Sequence, residues 1–117
     1  MFRISVADLL SSYSGDSKSF SFSGEIPDGY MEDLRFTAPL EFRIEIIALD
    51  DGVDVIFEQL STTVIYDGKK HPISLEKFER QWKNRIDPLD PDDIRRIEAD
   101  SIDLTPVLRE EIIMATY

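Results

Sequence analysis

The stretch "PLEFRIEIIALDDGVDVIFEQLSTTVIY", residues 39–66, decides the fold. Its first half alternates apolar with charged or polar residues, the period-two pattern of a strand with one buried face; the apolar positions are Leu40, Phe42, Ile44 and Ile46. Asp51-Gly52 predicts a type I′ hairpin turn, because that turn needs positive φ at both central residues. The second half is rich in β-branched residues and predicts a long returning strand. A further turn signal at Asp67-Gly68 predicts another reversal, so we expect an antiparallel β meander.

Shorter elements are predicted before this meander. "FRISV" (2–6) alternates apolar residues and predicts a short strand, followed by a turn of helix in "ADLLSS" (7–12). Residues 11–24 contain seven serines and two glycines, a composition typical of a loop. Phe20 and Phe22 alternate within this Ser-rich loop, so its second half can form an edge strand.

The segment after the meander predicts a helix over 75–86. Its large apolar residues fall at i, i+3, i+7 and i+11, one face of a helix; they are Leu75, Phe78, Trp82 and Ile86. Ser74 is the expected N-cap. Residues 87–93, "DPLDPDD", predict a stiff acidic connector, because their prolines interrupt regular structure.

The chain closes on "SIDLTPVLREEIIMATY" (101–117), which predicts an extended lead and a last helix. Thr105 is the expected N-cap, with Pro106 at the first helical position. The apolar stripe of this helix must be covered by its own domain or by a partner. Candidate partner-binding residues are Asp103, Leu104, Leu108, Arg109 and Ile112.

The length of 117 residues predicts a single domain, residues 1–117. The order of the elements predicts the α+β class, with an antiparallel β meander packed against two or three helices. The sheet and helices are expected to share one core, since none can bury its apolar face alone.

Composition excludes several classes of protein. Hydrophobic residues make up 42% of the chain, which favours a folded core over disorder. No run of about 18 apolar residues occurs, and the first ten residues lack the pattern of a signal peptide. Without cysteine, neither disulfides nor thiolate metal sites are expected. We therefore expect a cytoplasmic protein with no membrane association and no cofactor.

The charge is unevenly distributed. The net charge of −11 argues against generic binding to nucleic acid. Between residues 69 and 85, however, six basic residues face two acidic ones, a local excess of +4. These six are candidate RNA-binding residues, although an ordinary solvated face is an equal alternative: Lys69, Lys70, Lys77, Arg80, Lys83 and Arg85.

Little in the sequence predicts chemistry. His71 is the only histidine, and no phosphate-binding glycine loop or G-x-S-x-G motif occurs. The aspartates of the 87–93 connector do not match a calcium loop, because Arg95 and Ser101 occupy the positions of the required glycine and glutamate. We expect no catalytic residues, no metal site and no enzyme activity.

The second half of the chain resembles the YceD family of bacterial large-ribosomal-RNA-subunit accumulation proteins. The resemblance covers roughly residues 38–117 and is clearest in Ile102-Asp103-Leu104 followed by "VLREEIIMA" (107–115). Where the family usually carries a C-x-R-C-L motif, this chain has "YDGKKHP" (66–72), so thiol-dependent properties do not transfer. The family also continues beyond the last helix.

The resemblance implies a non-enzymatic role in ribosome assembly, supporting accumulation of large-subunit ribosomal RNA. The expected partners are large-subunit precursors, through RNA or through basic ribosomal proteins. Two alternatives stay open: a protein-interaction module without RNA contact, and an acidic DNA mimic that occupies a nucleic-acid-binding protein.

Overall fold

The computed structural model describes residues 2–117, with half of the chain in strands and 12% in helices. The class is therefore α+β with a mainly β core. The elements in chain order are β1 (Arg3–Ser5), α1 (Ala7–Leu10), β2 (Ser17–Gly24), β3 (Arg35–Phe36), β4 (Leu40–Ala48), β5 (Gly52–Tyr66), β6 (Lys69–Lys83), β7 (Arg95–Arg96), β8 (Ser101–Asp103) and α2 (Thr105–Met114).

The main sheet has the strand order β2-β4-β5-β6-β7. The first four of these strands pair antiparallel, β7 pairs parallel with the end of β6, and β3 pairs with β5. A separate two-stranded sheet joins β1 to β8. The predicted meander is confirmed as β4, β5 and β6.

One face of the main sheet is covered and forms the single core. The inward residues of β4 and β5 are buried, together with apolar residues from the N-terminal segment, from residues 26–34 and from α2. The buried residues of α2 are Val107, Leu108 and Ile112. No helix among residues 2–117 combines the length and apolar character needed to cross a bilayer.

The inward face of β5 changes phase at Gln59. Val53, Val55 and Phe57 are buried before it, whereas Leu60 and Val64 are buried after it. Gln59 has a φ of 54°, and the register with β4 shifts by one residue at this position. Such a β-bulge places an extra residue on one strand and bends it.

The predicted helix over 75–86 is wrong, because this segment belongs to β6. The pairing of β6 with β5 continues without a shift past Gln59. The set of β6 residues that faces the core therefore changes at the same point as in β5. Leu75 packs on the core before this point, and Phe78 packs on it after this point. The rings of Phe78 and Phe57 stack with their centroids 4.5 Å apart. The resulting spacing imitates a helix, and Ser74 lies inside the strand instead of capping a helix.

Two smaller predictions also need correction. The Ser-rich loop is shorter than 11–24, because Ser17–Gly24 forms β2, an edge strand of the main sheet as its Phe alternation indicated. Asp67 and Gly68 have positive φ, but Gly52 does not and is the first residue of β5. A Cβ at Gly52 would overlap the backbone of Trp82, so close strand packing explains this glycine.

The start of the last helix is displaced by one residue. α2 begins at Thr105 itself, and Leu104 occupies the N-cap position without a side-chain cap. The carboxylate of Asp103 accepts a hydrogen bond from the Thr105 N–H at 3.0 Å instead. This contact satisfies one of the unpaired donors of the first turn.

Replacement of Leu108 by Ala should destabilise the fold by about 2–5 kcal/mol, because it removes a fully buried side chain from the core. Denaturant unfolding measures this change. Met114→Ala is the matched control on the same helix, since Met114 is 54% exposed and should cost less than about 0.5 kcal/mol. Equal effects of the two variants would contradict the core position of α2.

Candidate functional site

The structure disperses the six candidate RNA-binding residues. Lys69 and Lys70 follow the turn at the start of β6, whereas Lys83 ends this strand 14 residues later. At about 3.3 Å per residue the two ends of β6 are on the order of 40 Å apart. Lys77, between them, is exposed. The six residues therefore do not form one surface patch.

Two of the six cations are used inside the fold. Arg80 forms an ion pair with Glu111 of α2, and both side chains are largely buried. Lys83 donates to Asp90 at 2.9 Å and lies 3.4 Å from Asp51. The remaining four are exposed, and RNA binding by them stays a prediction: Lys69, Lys70, Lys77 and Arg85.

Lys83 ties the acidic connector to the end of the sheet. The hydrogen bond from Lys83 holds the pKa of Asp90 below its ordinary value. The same bond, assisted by Asp51, raises the pKa of Lys83. Asp90 also accepts a hydrogen bond from the Asp87 N–H at 2.8 Å. The predicted connector is thus a folded turn anchored on β6.

The candidate partner-binding residues of the last helix are mostly unavailable. Leu104, Leu108 and Ile112 are at most 1% exposed, so their assignment to a partner surface is wrong. Asp103 stabilises the start of α2. Arg109 donates to Asp33 at 2.7 Å and holds α2 against the segment before β3. The domain covers its own helix.

One end of the main sheet carries a concentration of negative charge. Four exposed aspartates lie where β2 starts, where β4 turns into β5, and where β6 ends; we call Asp16, Asp50, Asp51 and Asp87 the acidic end. Backbone hydrogen bonds bring these segments together: Ala48 N–H donates to Asp16 at 2.7 Å, and Asn84 N–H donates to Asp51 at 3.0 Å.

The uncovered face of the sheet adjoins this acidic end. We use the term outer face for the side of the main sheet that points away from the core, where the side chains alternate with the buried ones. Five carboxylates lie on it, interspersed with cations such as Arg43 and Lys77; the acidic side chains are Glu41, Glu45, Asp54, Glu58 and Glu79. Beside β2 a trough of about 350 Å³ is lined by Ser19, Ser21 and Glu45, with Arg43 and Glu58, which form an ion pair at 3.6 Å.

Asp54 is a partly buried carboxyl of the outer face. Burial raises its pKa, and the neighbouring Glu79 raises it further by its negative charge and by hydrogen bonding. Its Oδ1 atom is buried without a hydrogen-bond partner among the described residues. The surroundings of Asp54 therefore disfavour its ionised form.

Residues 2–117 hold no group of three or more His, Cys, Asp or Glu side chains arranged to bind a metal ion. His71 lies in β6 opposite Val64. The structure does bring together the exposed aspartates of the acidic end and, beside them, the outer edge of β2.

Comparisons with protein-family models, with curated proteins and with solved structures find no match for this chain. The resemblance to the YceD family therefore stays a prediction from the sequence.

Sequence reasoning missed β2 and the outer face as parts of a site. The signal was present in "SKSFSFSG" (17–24), where serine alternates with larger residues. This alternation predicted an edge strand, but the high serine content gave no reason to place a site there. Alternation of charged residues in β4 likewise marked an uncovered face, but the sequence does not reveal which faces other elements leave open.

Asp54→Asn should raise the midpoint of thermal unfolding at about pH 8. The raised pKa means that the ionised carboxylate disfavours the folded state above its folded pKa, and that protonation relieves this cost as the pH falls. The gain should therefore shrink toward pH 4. Asp28→Asn controls for the loss of one negative charge at an exposed site. A gain that is equal in the control, or that is independent of pH, would contradict the assignment.

Proposed function

We propose that this chain is a non-enzymatic binding protein for a positively charged macromolecule, which docks on the acidic end and the outer face. The observation that carries the proposal is the distribution of charge in the fold. Two cations of β6, Arg80 and Lys83, are consumed by ion pairs within the domain. At the end of the sheet where Lys83 lies, Asp16, Asp50 and Asp87 stay exposed. An exposed field of one sign attracts partners of the opposite sign.

A basic protein is favoured over RNA as the direct partner. RNA binding needs several cations that reach phosphates together. Lys69 and Lys70 lie at one tip of the sheet, far from Lys77 and Arg85. The same exposed tip argues against a DNA mimic, whose negative surface should be continuous.

Ribosomal proteins of the large subunit are the first candidates. They are the basic components of the assembly that the sequence resemblance implies, and a chain of charge −11 can hold them without competing for RNA. The proposed role is thus in large-subunit assembly and in the accumulation of its RNA, through protein contacts.

The charge reversals Asp16→Lys and Asp50→Lys together should reduce the recovery of large-subunit components in pull-downs from native lysate. Ribonuclease treatment should leave the association in place, because the contact is to protein. Lys69→Glu with Lys70→Glu is the matched control at the opposite end of the sheet, and it should have little effect. Association that ribonuclease abolishes, and that only the lysine reversals weaken, would identify an RNA-binding protein instead.

A further inference from the structure

The edge of β2 that faces away from β4 is open. Among residues 2–117 no strand pairs with it. Ala48 N–H donates to the Asp16 carbonyl, so this cross-strand pair is hydrogen-bonded. Hydrogen-bonded pairs alternate along an antiparallel ladder, so the even-numbered residues of β2 bond to β4. The N–H and C=O groups that point to the open edge belong to Ser17, Ser19, Ser21 and Ser23.

The other long edge of the sheet is protected, and β2 is not. Along β6, Pro72 removes one donor from the outward edge, and charged residues such as Lys77 and Glu79 accompany it. Proline and charge are the usual means of blocking unwanted strand pairing. β2 has no proline, and its one charged residue, Lys18, is bound to Asp8 at 2.9 Å.

We propose that the open edge of β2 binds an extended segment of the basic partner, which adds a strand to the sheet. This inference rests on the proposed function and specifies how the partner docks. The main-chain groups of the four outward serines supply the hydrogen bonds, and side-chain rows on the two faces of β2 select the sequence.

The row on the core side selects apolar residues. Phe20 is 41% exposed although it lies in the same row as Phe22, which packs on the core. A neighbouring strand about 4.8 Å away would cover the exposed part of the Phe20 ring. Every second residue of the bound segment should therefore be apolar.

The row on the outer side selects basic residues. Serine side chains are short, so a trough remains between the open edge and the carboxylates of β4. The added strand would lie about 10 Å from β4, twice the strand spacing. A lysine or arginine on it can extend over Ser19 toward Glu45 or over Ser23 toward Glu41. These two carboxylates lie on either side of Arg43, which is paired with Glu58. The alternate residues of the segment should therefore be basic.

Charge favours this segment over a second copy of the chain. Pairing of two β2 edges would bring together two domains of charge −11 each. β2 offers only Lys18 as a cation, and Asp8 already neutralises it. A segment that alternates apolar and basic residues complements both rows and the adjoining acidic end.

The test uses a fluorescein-labelled peptide of eight residues, the length of β2, that alternates lysine and valine. A peptide of the same composition with lysines and valines in separate blocks is the control ligand. Fluorescence anisotropy measures binding of both to the full chain. The alternating peptide should bind at least about tenfold more tightly than the blocked one.

Ser21→Pro should weaken binding of the alternating peptide at least about tenfold. It removes an outward N–H and places a ring on the open edge, while the ladder to β4 keeps its hydrogen bonds. Ser74→Pro is the matched control. Ser74 follows Pro72 by two residues in β6, so its N–H also points away from β5. It should bind the peptide like the unaltered chain.

Ser21→Lys provides a second variant if Ser21→Pro does not fold. It fills the trough with a cation, so it should weaken binding while it leaves the backbone edge intact. Equal binding of both peptides, or binding that neither Ser21 variant weakens, would overturn the strand-addition proposal. If the double variant Asp16→Lys with Asp50→Lys then weakened the binding of both peptides, the proposed function would stand without strand addition. A dimer of the chain alone that Ser21→Pro dissociates would assign the edge to a second copy and also overturn the proposal.

Discussion

Gln59 carries the constraint on which the rest of the fold depends. The 15-residue strand β5 must bury side chains along its whole length against one small core. A regular strand of that length twists and extends beyond such a core. The positive φ of Gln59 inserts one residue, bends the ribbon of β5 and β6, and transfers burial from odd to even positions. Both halves of the ribbon then face the same core.

The same constraint explains what the sequence predicted and what it did not. β4 has unbroken alternation, and its strand was predicted nearly to its ends. The pattern of β6 indicates a helix because the core-facing residues are separated by three positions and then by four. These residues are Leu75, Phe78 and Trp82, and the three-residue separation comes from the change of phase. Sequence alone offers no sign of a bulge in a partner strand, so periodicity indicated the wrong element for β6.

The candidate site was less predictable than the fold because it depends on which charges are paired. Lys83 and Arg80 lie in one basic stretch of sequence, but the fold directs them to Asp90 and to Glu111. α2 is held by three such pairs, from β6, from β7 and from the segment before β3; they are Arg80–Glu111, Arg95–Glu110 and Arg109–Asp33. Cations that fix α2 and the connector in this way are less available to a partner. The surplus of exposed charge is therefore negative.

The net charge also bears on self-association through the unprotected strand edge. An open edge of small side chains is a template for pairing with any exposed strand, including that of another copy. Repulsion between copies of charge −11 opposes such self-association and acts over about a Debye length, roughly 8 Å at physiological salt. A basic segment meets attraction where a second copy meets repulsion. On β6, proline and charged side chains block unwanted strand pairing. On β2, the negative charge of the chain takes that role, and in the proposed function it leaves the edge open to basic segments.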